Sequence, residues 1–227
     1  LNAPNGSCEN IEVEGVVFSK LGSGTSFSRG FGVGMSGGVG ATVKRVNIHD
    51  NKFLDIVFQG VHVEDGSQQV DIHDNFFEGC GYSTIPWTYN NAIYVAATNA
   101  GKEISKVKIR GNTVSNPGTA SNWGITCEGT VAMTDVEITG NYLNMNGVNG
   151  GSSPCKGIFV ASQVSRYQVT GNTVKNAANV GIKAAGPYGV VKGNICYDDQ
   201  PVKPQTYGIE YASGADYPIF AENILVG

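Results

Sequence analysis

The segment VNIHDNKF at residues 46–53 returns as VDIHDNFF at 70–77, VKIRGNTV at 107–114, VEITGNYL at 136–143 and YQVTGNTV at 167–174. Fainter copies are IEVEGVVF at 11–18, GVVKGNIC at 189–196 and PIFAENIL at 217–224. A shared Asn falls at 51, 75, 112, 141, 172, 194 and 223, so successive copies are 22 to 37 residues apart. Between the copies lies a second phrase: FGVGMS at 31–36, QGVHVED at 59–65, NAIYVAA at 91–97, WGITCEG at 123–129, KGIFVAS at 156–162, VGIKAAG at 180–186 and YGIEYAS at 207–213. Both phrases alternate apolar with other residues at period two, the pattern of a strand buried on one face, and helical periodicity is absent.

Each period therefore holds two alternating strands. A propeller blade needs about four strands in 40 to 50 residues, and a leucine-rich repeat needs Leu at fixed close spacing; neither pattern is present. What remains is a coil of short strands, each stacked parallel on the strand one turn earlier at about 4.8 Å. The expectation is an all-β, right-handed parallel β-helix of about eight coils, a solenoid spanning residues 1–227 as one domain, because parallel crossovers within a sheet are almost always right-handed. The repeated Asn reads as an internal ladder, since Asn tolerates left-handed backbone and its amide can hydrogen-bond along a stack at a tight turn. Phe53, Phe76, Phe77, Val114 and Leu143 nearby would supply core packing or an adjoining third short strand.

Composition fits this reading. Charged residues make up 15% of the chain and Gly accounts for 32 of 227 residues, a balance that disfavours helical bundles and coiled coils. A formal charge of −4 argues against a nucleic-acid partner, which requires clustered Lys and Arg. Five Cys show no CxxC spacing and read as small buried hydrophobes, with at most one or two disulfides. No apolar run approaches the ~18 residues of a membrane span. The chain opens on Leu1 rather than Met, the start expected of a processed product or a fragment of a longer chain.

The pattern V-x-I-x-x-N-x-[FVL] followed by a G-[IV]-x-V strand resembles the coil of the right-handed parallel β-helices of the pectate-lyase-like superfamily, from about residue 11 to 224. That superfamily includes polysaccharide lyases, glycoside hydrolases, uronan epimerases, phage tailspikes and non-enzymatic surface proteins. The resemblance implies a polysaccharide partner and an extracellular, cell-surface or virion location, with a homotrimer if the chain belongs to a tailspike. It implies an enzyme, a glycoside hydrolase or polysaccharide lyase such as a secreted depolymerase; the alternative is a non-catalytic glycan-binding or structural segment. It also makes V-x-I the second sheet, the Asn its turn, and G-I-x-V the first sheet, where function in this fold usually sits. The short loop at 54–59, between long loops at 19–30 and 78–90, would leave a cleft over its coil.

On G-I-x-V the two apolar residues point inward and the alternate residues outward. One outward column reads Gly34, His62, Tyr94, Thr126, Phe159, Lys183 and Glu210, and its neighbour Ser36, Glu64, Ala96, Glu128, Ala161, Ala185 and Ala212. The small residues late in the second column would leave room for a flat, extended ligand. Glu64 and Glu128, two coils apart, would stand about 9 to 10 Å apart at the backbone. That suits an inverting glycosidase, in which one carboxylic acid protonates the leaving oxygen while the other carboxylate activates water. His62 beside Tyr94 suits elimination instead, with the imidazole removing the proton α to a uronate carboxylate and the phenol protonating the leaving oxygen. That route also needs a cation for the uronate; no Arg stands in this column, and Arg29 in the first long loop is the candidate to reach in. Tyr82, Trp87 and Tyr89 in the loop GCGYSTIPWTYNN, with Trp123 and Lys183, are the candidate substrate-binding residues, since aromatic rings stack on sugar faces.

On the second sheet, Glu14, His49, Asp71, His73, Lys108 and Arg110 gather outward, and the stacked His49 and His73 with Asp71 could bind a metal or a carboxylate. No cofactor is expected from spacing. The acidic residues permit calcium but form no EF-hand loop, and the triple-Asp calcium cluster of pectate lyases is absent. The R-x-K of polygalacturonases and the D-P-H of mannuronan epimerases are absent as well.

Overall fold

The computed structural model describes residues 2–3, 6–22, 30–37, 41–81, 90–115, 123–145, 155–201, 205–212, 216 and 218–226. Among these residues every regular element is a strand, and the strands form three parallel sheets of eight. The first sheet stacks Asn2–Ala3, Val33–Gly37, Val61–Glu64, Asn91–Ala97, Trp123–Gly129, Lys156–Val160, Asn179–Ala184 and Gln205–Tyr211. The second carries the V-x-I phrase, from Ser7–Glu14 to Ile219–Ala221, and the third holds short strands from Val17–Ser19 to Ile224–Val226. The chain is a right-handed parallel β-helix of eight coils, each contributing one strand to each sheet.

The Asn ladder is continuous. The side-chain oxygen of Asn112 accepts the backbone N–H of Asn75 at 3.1 Å and its side-chain amide at 3.0 Å, while Asn112 Nδ2 donates to the Ile72 carbonyl at 2.8 Å. The same set recurs through Asn141, Asn172 and Asn194, ending on Asn223. At the first coil Val16 stands in the Asn position, and its N–H donates to Asn51 Oδ1 at 2.9 Å. Asn51 through Asn194 are buried, so the ladder satisfies polar groups that water cannot reach. One expectation is corrected: the left-handed backbone belongs to the residue before each Asn, at Gly15, Asp50, Asp74, Gly111, Gly140, Gly171, Gly193 and Glu222. The preceding residue turns the corner, which leaves the Asn free to aim its amide along the stack.

The Gly that opens the first-sheet phrase has a packing cause. A Cβ on Gly32 would come within 2.4 Å of the Phe53 ring, one on Gly60 within 2.5 Å of Phe77, and one on Gly124 within 2.7 Å of Leu143. The absent side chain lets the third sheet reach across the coil. Phe18, Phe53 and Phe77 stack there with centroids 4.9 and 4.7 Å apart and rings nearly parallel. All five Cys are free thiols, and Cys80, Cys127, Cys155 and Cys196 are buried in the core. Burial pushes the Cys80 and Cys196 thiols up to about 12, which keeps them inert. No helix among the described residues is long and apolar enough to cross a membrane.

Candidate active site

The register of the first sheet brings the sequence-derived columns together. Gly34, His62, Tyr94, Thr126, Phe159, Lys183 and Glu210 are successive cross-strand partners, and Ser36, Glu64, Ala96 and Glu128 form the next column. Two features of the geometry are chemical. Tyr94 donates its hydroxyl to Glu128 Oε1 at 3.0 Å, diagonally across one strand spacing, and His62 Nε2 lies 3.5 Å from Glu64 Oε2. The rings of His62 and Tyr94 are 5.4 Å apart and tilted by 43°, so both carboxylates are set against one aromatic pair.

The two carboxyls differ in environment. Burial pushes the Glu128 carboxyl above its ordinary value, and the Tyr94 hydroxyl offsets part of that rise. The Glu64 side chain is 37% exposed and stands where water can reach it. Glu64 and Glu128 are separated by the Ala96 strand, about 9 to 10 Å at the backbone. The Tyr94 bond draws Glu128 toward the intervening strand.

An open groove of about 450 Å³ starts at Tyr94 and Glu128 and runs past Phe159 and Lys183 to Ala212. Its floor beyond Glu128 includes Ala161 and Ala185, both buried, so only methyl groups occupy the column there. The groove covers the fourth to eighth coils, while the loops expected to wall a cleft beside 54–59 lie largely outside the described residues. In the short loop at 54–59, Ile56, Val57 and Phe58 pack into the interior. Tyr82, Trp87, Tyr89 and Arg29 lie outside the described residues.

Trp123 and Lys183 are placed more tightly than their sequence reading implies. Trp123 is 7% exposed, stacks on Phe159 at 5.0 Å and carries Lys156 Nζ over its ring at 5.0 Å. It backs the groove residue Phe159 more than it opens to solvent. Lys183 Nζ is paired with Glu210 Oε1 at 2.5 Å. The contact that sequence reasoning missed is the Tyr94–Glu128 bond, because cross-strand columns predict neighbours along a column while this bond crosses from one column to the next.

The second sheet holds another cluster. His49 and His73 stack with centroids 4.9 Å apart and planes 2° from parallel. Glu12, Glu14 and His49 each bring a ligand atom within 4.8 Å of the others, an arrangement that could hold a cation. Asp71 instead takes Arg110, with contacts at 3.1 and 3.0 Å that occupy both carboxylate oxygens. Lys108 lies 3.8 Å from Glu137, an ordinary surface pair.

No protein-family model matches the sequence, and no curated protein does. Among solved structures the chain is similar to the catalytic unit of a thermostable GH87 α-1,3-glucanase from Streptomyces thermodiastaticus strain HF3-3, at 15% identity and a TM-score of 0.35. The match covers 94% of this chain and 50% of that one, so the chain spans half the length of that structure. A likeness this distant bears on neither substrate nor mechanism.

Proposed function

We propose that the first sheet hydrolyses glycosidic bonds of a polysaccharide, with Glu128, at the head of the groove, as general acid and Glu64, on the third coil just before the groove, as the partner carboxylate. The observation that carries this reading is the Glu128 carboxyl itself: raised by burial, held by Tyr94, and set at the head of a long open groove. A carboxyl raised by burial keeps its proton to higher pH than an exposed one, and that proton can go to a leaving glycosidic oxygen. As the anomeric carbon–oxygen bond breaks, water attacks that carbon from the other side and passes its proton to Glu64. Two strand spacings between the two residues, about 9 to 10 Å at the backbone, leave room for a water between the carboxylates, as an inverting mechanism requires. Phe159 offers a ring to a sugar face, and the alanine floor admits the following sugars of an extended chain.

Elimination fits less well. The Tyr94 hydroxyl is engaged with Glu128, and Lys183, the cation in the same column, stands three strands from Tyr94 and is paired with Glu210. About 14 Å of sheet separates it from the phenol, too far to hold the carboxylate of the same sugar. Membership of the pectate-lyase-like superfamily, and an extracellular, cell-surface or virion setting in which such a chain meets polysaccharide, belong to this proposal.

The test is substitution at constant fold. Glu128→Gln and Glu64→Gln should each lower turnover at least ~10²-fold while oligosaccharide binding persists, because an amide can neither give nor take the catalytic proton. Full activity in both variants on a glycan that the parent cleaves would remove the groove as the active site. Binding without cleavage by the parent would favour the non-catalytic alternative.

A further inference from the structure

We infer that Glu12, Glu14 and His49, on the outer face of the second sheet, form a binding site for a divalent transition-metal ion of the zinc type. The imidazole carries the argument. His49 is 11% exposed at its side chain, and its Nδ1 lies 2.8 Å from Asp50 Oδ2, so the ring is fixed from behind by a carboxylate. Its Nε2 faces Glu12 Oε1 at 3.0 Å, with a Glu14 oxygen completing a trio whose members all lie within 4.8 Å of one another. A carboxylate behind one ring nitrogen with ligand oxygens in front of the other is the outer-shell arrangement that orients a metal-bound histidine. Ligand atoms about 2.0 to 2.2 Å from a tetrahedral ion lie roughly 3.4 Å from one another. The His49–Glu12 separation already falls near that figure, and Glu14 is an exposed side chain free to close the remainder.

The next coil provides a comparison within the same molecule. His73 repeats the His-Asp-Asn phrase, stacks under His49, and has its Nδ1 2.8 Å from Asp74 Oδ2. Its Nε2, however, faces the side-chain oxygen of Asn47 at 2.9 Å, and its partner on the following strand is Arg110. The sheet register explains the difference, because Asn47 occupies in that coil the position Glu12 occupies in the one before. Of the two stacked rings, only His49 turns its Nε2 onto carboxylates. When the metal binds, the proton shared by Nε2 and Glu12 is released to solvent and the ion takes its place, with one coordination position left open to water. The donor set favours a borderline ion over calcium, which takes six to eight oxygens and no imidazole nitrogen.

Zinc chloride titrated calorimetrically into the EDTA-treated, dialysed chain tests this, with cobalt(II) absorption as a second readout of nitrogen-containing coordination. The wild type should take up zinc saturably at micromolar concentration and ignore millimolar calcium chloride. The double variant Glu12→Gln, Glu14→Gln, which alters only exposed side chains, and the variant His49→Asn should each weaken zinc binding at least ~tenfold. His73→Phe, which keeps the stacked ring but removes its nitrogens, should leave it unchanged. Absence of zinc uptake by the wild type, equal binding by the double variant, an equal loss in His73→Phe, or calcium binding as tight as zinc would each overturn the assignment.

Discussion

Asn112 shows how much one side chain does in this fold. Its oxygen takes two donors from Asn75, and its amide reaches the Ile72 carbonyl and the oxygen of Asn141. Asn112→Ala leaves several buried groups unpaired at once, so it should cost at least about 1 to 3 kcal/mol in urea unfolding. An unchanged midpoint would contradict the ladder. Asp65 gives a pH-dependent counterpart. Burial raises its pKa, but the backbone and side chains of Thr98 and Asn99 outweigh that and hold the carboxyl below its ordinary range. A carboxyl depressed in the folded state contributes stability above the unfolded range and loses it as pH falls through the folded value. Asp65→Asn should therefore lower the melting midpoint most near neutrality, with the gap to wild type closing only as pH falls below the ordinary carboxylate range. A gap independent of pH would mean that Asp65 is not the anchor of that turn.

Strand packing explains why the first-sheet phrase begins with Gly and why the third sheet could be anticipated only in outline. A Cβ on Gly157 would lie 2.0 Å from the Gly181 carbonyl and 2.5 Å from Val174, both within the core. Gly140 sits in a left-handed turn, where a Cβ would meet nothing within 4 Å. Gly157→Ala should accordingly cost more than Gly140→Ala in chemical denaturation, about 2 kcal/mol or more against about 1 for the backbone conformation alone. The reverse order would contradict the packing described for the coil interior. Period-two alternation made both long strands and their outward columns legible in the sequence, because burial on one face imposes it. The third-sheet strands are only three residues long, as at Lys52–Leu54 and Thr113–Ser115, too short for alternation to show. The Tyr94–Glu128 bond and the extent of the groove were hidden for a different reason. They depend on how side chains lean between columns and on how loops pack, as Ile56 and Val57 show by turning inward.

At the scale of the whole molecule, stability is a sum of terms between neighbouring coils. The inward columns are fully buried through the central coils, as at Val63, Val95, Cys127 and Val160. Amide exchange should therefore be graded along the stack and slowest in those coils, as expected of a quasi-one-dimensional solenoid. Uniform protection would indicate a single cooperative unit. Glu64 on the third coil and Glu128 on the fifth are joined through the buried fourth-coil strand Asn91–Ala97, which suits a site that must hold two carboxyls in fixed relation while a chain lies along the helix. The most direct test of that account is product analysis after digestion of a glycan panel by the intact protein, following reducing-end release and absorbance near 235 nm together. Hydrolysis by Glu128 and Glu64 predicts new reducing ends with no absorbance at that wavelength, whereas an unsaturated uronate absorbing there would show elimination and contradict it.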